Sequence, residues 1–65
     1  ALDSDYANAY YNIACLYGLQ GDVDLAIQNF QRAIELDSKY RELAKTESDF
    51  DRLRKNSRFQ ALLKE

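Results

Sequence analysis

Residues 7–40 read ANAYYNIACLYGLQGDVDLAIQNFQRAIELDSKY, and this stretch decides the fold. In its first half Tyr10, Ile13, Ala14 and Tyr17 recur at i, i+3, i+4 and i+7, the spacing of one helix face. In its second half Ala26, Phe30 and Ala33 repeat that spacing, and Val23, Ile27 and Ile34 widen the stripe. Gly21-Asp22 separates the two: Gly supplies the left-handed backbone that ends a helix, and Asp caps the next one. Asp24 adds an acid to the first turn of that second helix, where the dipole favours it. Two helices of about four turns, joined by a short turn, form an antiparallel αα-hairpin. The pattern predicts helices over about 5–19 and from just after Asp22 to about Leu36, and an all-α fold. Tyr10, Ile13, Ala14 and Tyr17 are expected to face the partner helix, with Ala26 as the closest-packing point.

Working outward, the flanks of this stretch match one another. Leu2-Asp3-Ser4-Asp5-Tyr6 and Leu36-Asp37-Ser38-Lys39-Tyr40 agree at four of five places, thirty-four residues apart. Self-similarity at that period, bracketing a helix–turn–helix, marks one unit of a solenoid. Residues 1–6 therefore read as the end of a preceding unit, with Leu2 a core residue whose partners lie upstream. Ser4 is expected to cap the first helix, and Asp5 to complement its dipole.

These residues resemble a tetratricopeptide repeat. That family places a large aromatic, a leucine-like residue, a small residue and a second aromatic on its first helix, matched by Tyr10, Ile13, Ala14 and Tyr17. Its turn Gly and acid are matched by Gly21-Asp22, and its small, aromatic and small residues by Ala26, Phe30 and Ala33. Leu36-Asp37-Ser38 stands where the family closes with Leu-Asp-Pro. Tyr for Trp, Ala14 for Gly and Ser38 for Pro are mild departures. The match spans residues 7–40, about half the chain. It implies a helical interaction module without catalysis.

Beyond Tyr40 the period stops: thirty-four residues past Tyr17 stands Asp51. Three short apolar clusters follow, Tyr40-Leu43-Ala44, Phe50-Leu53 and Phe59-Leu62-Leu63. Ser38, Ser48 and Ser57 precede them as candidate caps, and Ser57 with Gln60 has the spacing of a capping box. Residues 41–65 are thus expected to fold as short helices over the last unit, since solenoid ends need a covering with a polar outer side. Ser48-Asp49-Phe50-Asp51-Arg52-Leu53-Arg54 and Ser57-Arg58-Phe59-Gln60-Ala61-Leu62-Leu63 also resemble a tail that closes tetratricopeptide arrays in bacterial and plastid proteins. There Pro stands where this chain has Ser48 and Ser57.

Composition bounds the rest. Sixty-five residues with 46% hydrophobic content and a net charge of −2 are too apolar for disorder. They are also too few for a thick core, since such a chain buries only roughly 60% of its unfolded surface. A piece or end of a longer protein, or a self-associating module, is the expectation. A sequence pI near 5.0 argues against nucleic-acid binding. Arg52, Arg54, Lys55 and Arg58, beside Asp49 and Asp51, read as a solvated face. Cys15 is the only cysteine, which fits a reducing compartment; a cytoplasmic site is expected, a plastid or other reducing compartment being the alternative. No apolar run reaches the length of a membrane span, so no membrane insertion is expected.

Chemistry is thin. With no His, triads and His-based zinc motifs are excluded, and Gly18 and Gly21 alone make no phosphate loop. No catalytic residue, metal or cofactor is expected. What remains is a surface. The family resemblance implies ligand contacts from first-helix positions outside the core: Asn8, Tyr11, Cys15, Gly18 and Leu19, with Lys39 and Tyr40 from the next helix start. The Lys and Asn with which some members clamp a C-terminal carboxylate would fall at Tyr11 and Cys15, so that clamp is absent. The implied function is binding of a partner protein or peptide on the concave side. The alternative is an end-cap or a homo-oligomer formed through an exposed face of the repeat.

Overall fold

A computed structural model describes the backbone of residues 2–64 and the side chains of residues 6–64. Four α-helices and one 3₁₀ helix account for nearly all of it: α1 (Leu2–Gln20), α2 (Val23–Leu36), α3 (Lys39–Lys45), the 3₁₀ segment (Ser48–Leu53) and α4 (Ser57–Lys64). No strand occurs among the described residues. α1 and α2 form the antiparallel hairpin that the periodicity requires.

The turn between them follows from its two residues. Gly21 sits at φ +84°, a backbone state that costs an L side chain energy. That left-handed residue lets Asp22 N–H reach the Tyr17 carbonyl at 2.9 Å and Gly21 N–H reach that of Gly18 at 3.2 Å. This is the Schellman arrangement, which satisfies carbonyls the helix end would orphan. Asp22 then starts α2 by accepting from Leu25 N–H at 3.4 Å. Ala26, Phe30 and Ala33 are fully buried.

α1 begins earlier than predicted, at Leu2 rather than Asp5, and Ser4 lies inside it. The same Leu-Asp-Ser motif breaks the helix at 36–38, where Asp37 is extended at φ −155° and its carboxylate accepts from Lys39 N–H at 3.1 Å. At 2–4 the same motif lies within the helix. The expected side-chain roles of Leu2, Ser4 and Asp5 lie outside the described side chains.

The tail forms the three short elements in order, with different caps. At none of the three starts does a serine side chain do the capping. α3 uses Asp37; α4 uses Asn56, whose Oδ1 accepts from Arg58 N–H at 2.9 Å and Phe59 N–H at 3.2 Å. Ser48 and Ser57 instead take the first helical position, where proline is tolerated because that N–H has no intrahelical partner. Gln60 turns away from Ser57 and donates to the Arg54 carbonyl at 2.8 Å.

The middle element winds as a 3₁₀ helix, with Phe50 N–H on the Glu47 carbonyl at 3.2 Å. At three residues per turn, Phe50 and Leu53 eclipse one another and both point inward. Both are fully buried.

The core is an aromatic cluster drawn from every layer. Phe50 stands edge-on to Tyr11 with centroids 5.6 Å apart, and lies 5.3 Å from Phe30 and 5.5 Å from Phe59. Phe30 and Phe59 are 5.1 Å apart, while Tyr11 and Tyr40 pack at 4.7 Å. These separations fall in the favourable range for offset and edge-to-face contact.

The basic residues of the tail are more than a solvated face. Arg54 donates to the Ala44 carbonyl at 3.0 Å and the Glu47 carbonyl at 2.7 Å, closing the C-terminus of α3. Arg41 Nε reaches the Leu62 carbonyl at 2.9 Å, and Arg58 pairs with Asp24 across α4 and α2.

Candidate functional site

α1 has two apolar sides, about half a turn apart on a helix of 3.6 residues per turn. Ala7, Tyr11, Ala14, Cys15 and Gly18 form the first, and all are buried. Tyr6, Ala9, Ile13 and Leu16 form the second, and all are exposed.

The first side is closed by the chain's own 3₁₀ segment, and Gly18 makes the approach possible. A Cβ at Gly18 would stand 2.7 Å from the Asp49 carbonyl oxygen and 3.2 Å from Phe50 Cδ1. No side chain fits there without moving backbone. The residues expected to face a ligand therefore divide. Asn8, Leu19 and Lys39 are exposed, with Lys39 Nζ 5.3 Å from the Tyr40 ring centroid. Tyr11, Cys15, Gly18 and Tyr40 are brought together but buried, and offer no open surface in this conformation. The seal was hidden in sequence because Phe50 lies thirty-two residues beyond Gly18. Gly18 itself, a glycine inside an otherwise helical pattern, is the one signal of a close backbone approach.

Burial also sets the chemistry of this side. Burial, then the nearby Glu47 and Asp49 carboxylates, push the Cys15 thiol up to about 11. A reactive thiol needs the opposite shift. The Tyr11 phenol is raised too, first by burial and then by the charge of Cys15 and those acids.

The second side holds the expectation that fails in the other direction. Ile13, expected against α2, is 39% exposed, and Leu16 is 59% exposed. Tyr10 and Tyr17 are half-buried at its margin. α2 covers only the arc of α1 around Ala7, Ala14 and their neighbours, and Ile13 turns past its edge. Leu43, placed in the first of the three tail clusters, is likewise exposed, because on α3 only Tyr40 and Ala44 turn inward. Tyr6, Tyr10, Arg32 and Leu36 line a shallow depression of about 230 Å³ next to the stripe.

A model of the tetratricopeptide repeat matches residues 7–40. The chain belongs to the tetratricopeptide repeat family. Repeats of this family are typically non-catalytic protein-interaction units, and protein partners follow from membership. No curated protein and no solved structure matches the chain. Among the described residues no helix is long and apolar enough to cross a membrane. In this tetratricopeptide hairpin, residues 48–53, which follow the matched repeat, pack on the side of the first helix that carries Gly18.

Proposed function

We propose that this chain is a closing unit of a tetratricopeptide scaffold, which seals the inner side of its first helix and offers the opposite side to another protein. The carrying observation is the contact of Asp49 and Phe50 with Gly18. A segment seated against bare helix backbone, with its Phe fully buried, acts as a lid rather than as a ligand in exchange. The open stripe of Tyr6, Ile13 and Leu16 supports the second half of the reading, since contiguous exposed apolar side chains mark interaction surfaces.

The rival is a peptide held at Asn8, Tyr11, Cys15, Gly18, Leu19, Lys39 and Tyr40. It requires the 3₁₀ segment to lift, which exposes Phe50 and frees Cys15.

Alkylation of the single thiol separates the two. Cys15 in a sealed unit reacts far more slowly than free cysteine at pH 8. Its pKa is raised on folding, so the folded chain holds the thiol proton more tightly. The associated stability is whole below the unfolded value near 9 and is lost as pH rises through about 11. Alkylation should therefore steepen across that alkaline window. Labelling as fast as a free thiol at pH 8 would return the inner side to the rival.

A further inference from the structure

The open side of α1 is a seam with the spacing of a coiled coil. Tyr6, Ala9, Ile13 and Leu16 follow one another at intervals of three, four and three residues, the alternation of a and d positions in a heptad. Tyr6, Ile13 and Leu16 are 62%, 39% and 59% exposed, and Ala9 is exposed among them. Tyr10, Asn12, Tyr17 and Leu19 take the flanking e and g positions, and none of them is charged. From Tyr6 to Gln20 the helix carries no Lys, Arg, Asp or Glu, although the chain has 9 basic and 11 acidic residues. The solvent side of a surface helix ordinarily carries charge. Loss of charge together with enrichment in tyrosine is instead the composition of an interface core.

The seam also complements itself. Reversed end for end about its middle, it sets Tyr6 opposite Leu16 and Ala9 opposite Ile13. In an antiparallel pair a positions face d positions, so each layer joins a larger side chain to a smaller one. A parallel pair would stack Tyr6 on Tyr6 and Ala9 on Ala9, a bulge followed by a gap, which close packing disfavours. Charge points to the same occupant. In a two-fold contact each patch meets its own copy, so any charge on it approaches its like. Here a second copy meets no such repulsion. Charged e and g residues ordinarily choose between partners, and this helix offers an oppositely charged partner nothing to pair with.

We propose that the stripe is occupied by a second copy of this chain, the two α1 helices packing antiparallel about a two-fold axis that passes between Ala9 and Ile13. This rests on the second half of the proposed function, the open side as a contact surface, and names its occupant. Ala9 in the inner layers lets the helices approach closely. Tyr6 closes each end of the seam, where its hydroxyl stays within reach of water. From Tyr6 to Leu16 the seam is about 15 Å long at the helical rise. So short a contact belongs at the weak end of specific interfaces, and the dimer forms at high concentration. The sealed inner side takes no part in it.

Disulfide trapping reads the register. Ala9→Cys and Ile13→Cys are made in separate chains, each also carrying Cys15→Ala, and mixed in equal amounts near millimolar concentration in a glutathione buffer. A disulfide needs Cα atoms within about 7 Å of one another. The antiparallel seam brings position 9 of one chain to position 13 of the other. Mass spectrometry should therefore find the mixed disulfide in clear excess over the two symmetric ones together. Random collision gives mixed and symmetric products in equal amounts, and a parallel pair gives a deficit of the mixed one; either result overturns the proposal. Circular dichroism establishes that each variant is folded, and Tyr6→Cys with Leu16→Cys repeats the test in the outer layers should an inner variant fail to fold. The two readings fail separately. Slow alkylation of Cys15 in the parent chain, with no excess of the mixed disulfide, strikes the dimer and leaves the stripe to a different protein. Fast alkylation with that excess strikes the sealed inner side and leaves the dimer standing.

Discussion

The two apolar sides of α1 are similar in composition and opposite in fate. One consists of Ala7, Tyr11, Ala14, Cys15 and Gly18, and is closed by α2 and the 3₁₀ segment. The other consists of Tyr6, Ala9, Ile13 and Leu16, and stands open. The difference lies in side-chain size. The closed side is mostly small residues around one aromatic, so a helix and a backbone strap can come close, and the gaps are filled by Phe30 and Phe50. The open side carries branched aliphatics, which hold a neighbouring backbone away but give side chains purchase. An apolar helix needs neighbours on each apolar side; here only one side finds them within the described residues.

Removing the strap's anchor should have the largest effect. Phe50 is fully buried among Tyr11, Phe30 and Phe59. Phe50→Ala is expected to cost about 3–5 kcal/mol, the usual loss for a core Phe. In a chain of this size the whole margin is roughly 3–5 kcal/mol, so the variant should be largely unfolded at room temperature by circular dichroism. The matching truncation on the open side, Ile13→Ala, should stay within about 0.5–1 kcal/mol in a urea titration. Equal losses at the two positions would erase the distinction between the sides.

Gly18→Ala gives a smaller effect whose sign is informative. In an exposed helix this change stabilises by about 0.5–1 kcal/mol, because glycine loses more backbone freedom on folding. Here the new Cβ would stand 2.7 Å from the Asp49 carbonyl oxygen. The strap must shift, and overpacking of this kind costs about 1–3 kcal/mol. A lower unfolding midpoint is therefore expected. A raised midpoint would mean that the strap does not rest on α1.

What sequence reasoning reached follows the range of the interactions. The hairpin was legible because its determinants are local: the four-residue rhythm around Tyr10 and Phe30, and the Gly21-Asp22 stop and start. The tail's elements were legible as clusters, but their caps were not. Asp37 and Asn56 sit one residue before serines of similar capping strength, and hydrogen-bond geometry decides between neighbours that composition cannot separate. The closed side was legible only at Ala14, with Gly18 as a further signal of a close approach. Tyr11 and Cys15 look solvent-facing by position in the repeat, and residues that return about thirty or more positions later, Tyr40 and Phe50 among them, cover this side.

The open stripe gives the smallest expected change in stability and the clearest test of its purpose. Ile13→Gln with Leu16→Gln replaces two exposed aliphatics, 39% and 59% exposed, by polar residues of similar length and helix propensity. Each should change folding stability by no more than about 0.5 kcal/mol. Association should respond far more, because apolar area that is nearly neutral to folding becomes the driving force for contact between chains. Sedimentation velocity at micromolar and near-millimolar concentration should show the parent chain shifting toward a larger species and the double variant remaining monomeric. A parent that is monomeric at both concentrations removes self-association and leaves a different helical partner as the occupant of the stripe. A double variant that associates like its parent would place the contact elsewhere, and the open side of α1 would then be only a solvated surface.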